Sequence, residues 1–538
     1  MRGFRKLLAL IRRILLKAIV HRQLNESGFT KASRKSSLTR RRMQTEFRND
    51  GTLKRKRIFI ERWRVPCGLL VGIACCLRCS LQAQTNYQRL WAFNESSGSP
   101  PSVALIEGSD GKLYGATAYG GLSGGNGTIF KLNRDGSGYV VLHYFTNTTG
   151  EGSEPVGLSQ GTDGMLYGMT AYGGDFSGPP GPGFGTVFKL SINGSGYQVL
   201  HKFSTNRDNG KFPEGQIISD GGILYGTTTD GGSNDLGTLF KLHTDGSDFA
   251  IVRSFVGAAD LAEPRGALVK ATNGALYGVT IYAGSNNHAG AVFRINPDGS
   301  GFAVPHRFND TNGDGYDPLG LTLASDGKLY GVTYGGGSNG CGVIFAMNPD
   351  GSSYALIHSF TGPGLDGDDP KSLIEGTDGA LYGVTSTGGS FHAGAVFKLN
   401  KSGTGFTMLH FLTGSGGDGS EPATALLQAS DGSFYGTTYS GGISDINSPL
   451  GYGTLFRLFS GPPRINITRI QSSGANLLLD FRGGAAGHTY AIQGTTHLAT
   501  NAIWSEISTA VVAIDGSFQV IDTNASQFPA RFYRSAGQ

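Results

Sequence analysis

The run Asp310-Thr311-Asn312-Gly313-Asp314-Gly315-Tyr316-Asp317 places oxygen-bearing side chains at alternating positions around glycines. Oxygens spaced this way can converge on one hard cation, and D-x-N-x-D-G is the first half of a calcium loop. Asp310, Asn312, Asp314 and Asp317 are therefore candidate calcium ligands. The twelfth position of such a loop is Leu321 rather than Glu, so a solvated acidic turn is the competing reading. A second set of carboxylates recurs before proline in what read as the unit-to-unit connections, at Glu154, Glu263, Asp317, Asp369 and Glu421. Two loop carboxylates facing one substrate are the equipment of a glycosidase, but no spacing here singles out a pair. Histidine recurs at His143, His201, His306, His358 and His410; side chains spread over so many repeats do not share a metal, and a structural hydrogen bond within each repeat is expected. No nucleophile elbow, phosphate-cradling loop, HExxH or paired CxxC is present.

Charge divides the chain. Residues 1–84 hold 21 of the 45 Lys and Arg but 4 of the 40 Asp and Glu, a net +17, so the remainder carries −12. An acidic body excludes a phosphate-tracking nucleic-acid binder, because that affinity comes from Lys and Arg. Four of the five cysteines also precede residue 85, leaving Cys341, which excludes a disulfide framework or cysteine-rich metal site for the body. Residues 61–84 place an apolar stretch after basic residues and before a small-residue exit near Ala83, the layout of a secretory signal peptide too short to span a bilayer. Met1–Arg22 reads either as a basic amphipathic helix or as sequence upstream of a start at Met43.

What must position the loop residues is a repeat. Leu-Tyr-Gly recurs with its tyrosine at 114, 167, 225, 277, 330 and 382, and Phe-Tyr-Gly at 435. A fixed period of this length means a repeat architecture. Each unit holds four short strand patterns, in the first VALIEGS, KLYGATA, GTIFKLN and YVVLHYF, separated by Asx-Gly and DGSG turns. The Tyr and the GTxF aromatic recur in every unit and a Gly doublet follows at 120–121, 173–174, 231–232, 388–389 and 441–442; these residues are expected to pack between sheets. The seventh unit stops after its third strand, and the missing fourth pattern, Tyr87–Phe93, stands at the other end. The expected fold is all-β: a seven-bladed β-propeller over residues 85–461, closed by an N-terminal strand that hides two sheet edges. After Gly461-Pro462-Pro463, residues 462–538 show six strand patterns expected to form a small C-terminal β-sandwich with Trp504 in its core. Residues 1–84 form the leader.

The long pattern DGxLYGxTxxGGxxxxGTxFKLNxDGSGYxxLHxF over residues 87–459 resembles the GloVer tandem repeat of exported bacterial proteins, and in layout is similar to kelch repeats. The resemblance implies export and supplies no catalytic residues. In a propeller the Asx-Gly and DGSG hairpins emerge on one face, while the strand 2–3 loops (122–126, 175–184, 285–289, 443–452) and the unit-to-unit connections emerge on the other. Variation on a rigid scaffold is where binding resides. The expectation is an exported, monomeric, non-enzymatic protein, extracellular, at the cell surface or periplasmic, without a transmembrane anchor. Its partner would be an extracellular glycan or protein; calcium is the one candidate cofactor. A polysaccharide hydrolase or lyase, or a structural surface protein, is the alternative.

Overall fold

The computed structural model describes residues 87–459 except 122–124, 147–149, 175–182, 206–208, 258–260, 284–288, 310–312, 416–417 and 446–447. Beyond them it describes 466–473, 476–482, 489–495, 505–511, 517–523 and 532–537. Two compact units divide the chain, Met1–Pro66 and Cys67–Gln538; the leader and the whole first unit lie outside the described residues, as does Trp504. Among the described residues every regular element is a strand, and no helix is long and apolar enough to cross a membrane.

The repeats form seven antiparallel sheets in chain order, each with its four strand patterns side by side. In the second sheet these are Gly152–Gln160, Leu166–Gly173, Thr186–Leu190 and Gln198–Lys202. The Asx-Gly turns form as expected, with φ of 72° at Gly111 and 80° at Gly164. The LYG strand is buried along its first five residues, because it lies inside its sheet and is covered on both faces. Its tyrosine is anchored within its own unit: Tyr114, Tyr167, Tyr330, Tyr382 and Tyr435 each donate to the Asp of the preceding turn at 2.6–2.9 Å.

The glycine of LYG has a packing reason. Gly331 pairs with Phe345 across the strands, and a Cβ there would lie 2.4 Å from Phe345 Cζ. The GTxF ring thus lies across a strand that has no side chain at that point. The same approach recurs from Gly168 to Phe188 and from Gly436 to Phe456.

The seventh sheet comprises Gly419–Pro422, Leu427–Gln428, Phe434–Gly441 and Thr454–Leu458. Its outer strand is β1, Tyr87–Ala92, paired antiparallel with Thr454–Leu458. Register matters here: Trp91 faces Leu455 after a bulge, as His201 faces Val187 after the bulge in the second sheet. Phe93 N donates to Gly453 O at 3.0 Å, as Phe145 N does to Gly127 O and Phe203 N to Gly185 O. The chain's first described strand therefore occupies a fourth-strand position.

Contacts between sheets repeat as regularly as the sheets. A fourth-strand side chain stacks on an aromatic of the next sheet, with His143 on Tyr197, His201 on Phe249, His306 on Tyr354 and His358 on Phe406, centroids 3.6–3.9 Å apart. Arg253 takes the histidine's place over Phe302 at 3.3 Å. β1 supplies the last two steps: His410 stacks on Tyr87 at 3.9 Å and Trp91 on Tyr139 of the first sheet at 4.3 Å. On the hairpin side, Glu375 accepts from Ser325 N at 2.6 Å and Gln428 from Thr377 N at 2.7 Å. Glu107 of the first sheet accepts from Ser430 N of the seventh at 2.7 Å.

One expectation needs correcting. The acid-proline pairs are not in the connections but inside the first strands, for example Glu154-Pro155 within Gly152–Gln160 and Glu263-Pro264 within Ala262–Lys270. Proline is tolerated because the first strand is an edge strand, where its missing N–H leaves no ladder bond unmade. After residue 465 the six expected strands form two three-stranded sheets, Asn466–Ser473 with Asn476–Arg482 and Ser517–Asp522, and Ser505–Val511 with Thr489–Thr495 and Phe532–Gly537.

Gly331→Ala is expected to lower unfolding free energy by about 1–3 kcal/mol, the usual cost of overpacking a filled site. Urea denaturation measures it; an unchanged midpoint would show that Phe345 can move aside freely.

Candidate functional site

The first strands of all seven sheets line one cavity of about 570 Å3. One residue after the proline, the wall is Ser102, Val156, Glu214, Arg265, Leu319, Lys371 and Ala423 in successive sheets. Below that level it becomes mostly aliphatic, with Leu158, Leu268, Leu321, Leu373 and Ile374, and carries the hydroxyls of Thr322, Ser372 and Thr424.

One residue before the proline stand the carboxylates Glu154, Glu263, Asp317, Asp369 and Glu421, joined by Phe212 at the same position of the third sheet. All six have φ between 54° and 58°, a left-handed conformation that side-chain-bearing residues adopt at a cost. A bond to the preceding sheet compensates it: Glu154 N donates to Asn126 O, Glu263 N to Leu236 O, Asp317 N to Ala289 O and Glu421 N to Ala393 O, at 2.8–3.0 Å. The kink that docks one sheet on the next thus falls on a carboxylate-bearing position two residues before a cavity-lining one, the carboxylates themselves lying outside the lining.

The charges form an arc over the third to sixth sheets. Arg265 bridges Glu214 at 3.0 Å and Asp317 at 3.7 Å, and Lys371 reaches Asp369 at 2.7 Å. Ser386 also donates to Asp369. Burial pushes the Asp317 carboxyl above its ordinary value, with the charge of Asp369 adding to it and Arg265 and Lys371 opposing. Burial likewise raises Glu154, and it raises Glu263 with the nearby Asp230 adding to it. Asp317 Oδ1, Asp369 Oδ1 and Ser372 Oγ are buried and make no hydrogen bond.

Aromatic surface adjoins these acids. Tyr119, Tyr334 and Tyr439 are each about half exposed, at 48%, 46% and 52%. Tyr119 donates to Glu154 at 3.2 Å, and Lys371 Nζ stands 5.9 Å over the Tyr334 ring. Phe391 and Leu365 are exposed near the sixth sheet, and Ile443 and Leu450 near the seventh. Neither the two cations nor the three tyrosines stood out in the sequence. The signal for the cations was their place directly after proline in equivalent units.

The four candidate calcium ligands separate. Asp310 and Asn312 lie outside the described residues. Asp314 Oδ2 is engaged by His306 Nε2 at 3.1 Å and accepts from Asn309 N at 3.2 Å, while Asp317 faces Arg265. Among the described residues no group of three or more His, Cys, Asp or Glu is placed to hold a metal ion. Asp314 belongs to a recurring pair: His143 bonds Glu151 at 2.9 Å, His201 Asn209 at 2.9 Å and His358 Asp366 at 3.0 Å. His410 stands 3.6 Å from Asp418. The expected histidine bond therefore exists, but its partner sits eight residues on, in the connection to the next sheet.

The Gloeobacter/Verrucomicrobia repeat family matches residues 78–179, 125–322 and 317–476. The chain belongs to this repeat family. Membership follows the pattern of LYG, Gly-doublet and GTxF residues that builds each sheet, and it names no ligand. No curated protein matches the chain. Among solved structures, it is similar to a protein assigned as a 6-phosphogluconolactonase from Bacteroides uniformis, at 18% identity over 58% of this chain and 84% of that one, with a TM-score of 0.39. It is also similar to a protein assigned as an oxidoreductase (glucose dehydrogenase) from Thermus thermophilus, at 15% identity over 57% and 96%, with a TM-score of 0.34. A prolyl endopeptidase matches at 13% identity over 62% and 46%, with a TM-score of 0.39. Likenesses this distant carry no argument about activity.

The titrating groups give opposite pH signatures. Burial lowers His143 and His201 below their ordinary 6.5, so the unfolded chain takes up protons first and stability falls as pH drops through that value. Burial opposes ionisation of Asp418, but His410 and Tyr87 outweigh it and hold the carboxyl at about 2. Its contribution is complete above the ordinary 3.8 and is lost as pH falls toward about 2. Glu263 has the other sign: its raised value makes its charge a cost at neutral pH. Melting temperature is expected to decline from about pH 6.5 downward, less steeply in His143→Gln. Glu263→Gln is expected to melt higher than the parent at pH 7; a lower melting temperature would mean that its charge is stabilised by its surroundings.

Proposed function

We propose that this member of the repeat family is an exported seven-bladed β-propeller that binds an extracellular glycan or protein on its connection face. The propeller reading is supported by the seven-walled cavity, by β1 in a fourth-strand position and by the Trp91–Tyr139 and Glu107–Ser430 contacts between the seventh and first sheets. The two sheets after residue 465 are read as a small β-sandwich. Export rests on the signal-peptide layout of residues 61–84.

The observation that carries the binding reading is the set of half-exposed tyrosines, one of them bonded to Glu154, at the acidic end of first strands that line a preformed cavity. Aromatic faces cover the apolar faces of a sugar ring and carboxylates accept its hydroxyls, while concave sites with a few convergent polar groups are the usual place for a ligand. A second reading, a polysaccharide hydrolase or lyase, draws on Glu154, Glu263 and Asp317, whose raised values suit proton transfer. Calcium at Asp310, Asn312, Asp314 and Asp317 is a separate proposal; a rise in melting temperature on adding calcium supports it, and an unchanged melting curve removes it.

Glycan-array binding with parallel hydrolysis assays tests the reading. Binding without turnover is expected, weakened about tenfold or more by Tyr439→Ala, since an aromatic stack of 0.5–1.5 kcal/mol also carries the area it buries. Release of reducing ends that stops in Glu263→Gln would establish the enzyme instead.

A further inference from the structure

Resting on that binding reading, we infer that the ligand is an amine-bearing glycan, a sugar chain with free primary ammonium groups, which seats at the acidic mouth of the cavity. The mouth is built from fixed charge of one dominant sign. Glu154, Glu263, Asp317, Asp369 and Glu421 occupy five of the seven equivalent positions, with Glu214 one level below and Asp230 close enough to raise Glu263. Lys211, Arg265 and Lys371 are the opposing charges at this end of the same strands, and all three are already paired. Burial disfavours the charged forms of Glu154, Glu263 and Asp317 in the free protein. A bound ammonium group relieves that penalty, whereas a uronate would deepen it.

Two further features favour a sugar over a basic peptide. Tyr119 of the first sheet reaches Glu154, Tyr334 of the fifth stands beneath Lys371, the partner of Asp369, and Tyr439 of the seventh is half exposed, so a chain crossing the mouth meets ring faces as well as carboxylates. Within the site, Ser372 Oγ and Asp369 Oδ1 are buried and make no hydrogen bond, and Asp317 Oδ1 has only the Arg265 ion pair at 3.7 Å; Ser372 lines the cavity beside the hydroxyls of Thr322 and Thr424. Such groups ask for a ligand dense in hydroxyl donors and acceptors, since a buried polar atom left unpaired is costly. A lysine side chain brings one charge on an aliphatic stem and leaves most of them unmet.

Isothermal titration of the purified chain with glucosamine, N-acetylglucosamine and galacturonate oligomers of equal length, and with oligolysine, decides the matter. The glucosamine oligomer is expected to bind about tenfold or more tighter than its acetylated counterpart, about 1.4 kcal/mol, with the advantage shrinking as salt rises. Glu263→Gln combined with Glu421→Gln is expected to remove that advantage, so that the glucosamine and acetylated oligomers bind with similar affinity. Glu421 is exposed and Glu263 part-buried, and a single cooperative melt at or above the parent's temperature shows the variant folded. Equal binding of the three sugars, or tighter binding of galacturonate, overturns the amine inference while leaving glycan binding standing. Tighter binding of oligolysine overturns the sugar assignment. Failure of every carbohydrate to bind, with the parent chain folded, overturns this inference and the glycan reading beneath it.

Discussion

The structure depends on one contact repeated between neighbouring sheets: a flat fourth-strand side chain laid face to face on an aromatic ring of the next sheet. Histidine, arginine and tryptophan all serve, because each presents a planar group of similar width, and each such stack contributes about 0.5–1.5 kcal/mol beyond the area it buries. Histidine brings a second constraint. Its ring nitrogen meets an acidic or amide side chain eight residues on, so one side chain fixes both the next sheet and the connection leading to it. β1 enters the same scheme from the far end of the repeat array, contributing Tyr87 as the ring beneath His410 and Trp91 as the group above Tyr139.

Much of this was legible because it is local. Asx-Gly turns, the LYG strand and the GTxF strand are each specified within a dozen residues, and Tyr87–Phe93 resembles a fourth strand closely enough to be recognised as the missing one. The acid-proline pairs were equally visible, but not their conformation, because the left-handed backbone of Glu154 or Asp317 is held by a carbonyl of the preceding sheet. Arg265 and Lys371 acquire meaning only when first strands from different units face one cavity. Asp314 shows the opposite difficulty: D-x-N-x-D-G reads as half a calcium loop, yet its second acid is also the partner of His306. The constant spacing of eight from histidine to acid or amide was present in the sequence and points to the second role.

The proposed binding site falls where the repeat is least uniform. Residues common to every unit, such as the LYG tyrosine and the GTxF phenylalanine, are buried and committed to neighbours. The position after proline varies from alanine to arginine, and it lines the cavity in every sheet. The position before proline holds mainly carboxylates whose ionisation burial opposes in Glu154, Glu263 and Asp317. A site that keeps charges where they are costly has the stability–function compromise expected of a binding surface.

Hydrogen exchange over residues 87–93 tests the central claim most directly. If β1 closes the array, its amides exchange as slowly as those of other fourth strands such as Val140–Tyr144 and Ala355–Ser359, and Thr454–Leu458 is protected with it. Exchange of residues 87–93 at the rate of an unstructured terminus, with the other fourth strands still protected, would contradict closure by this strand.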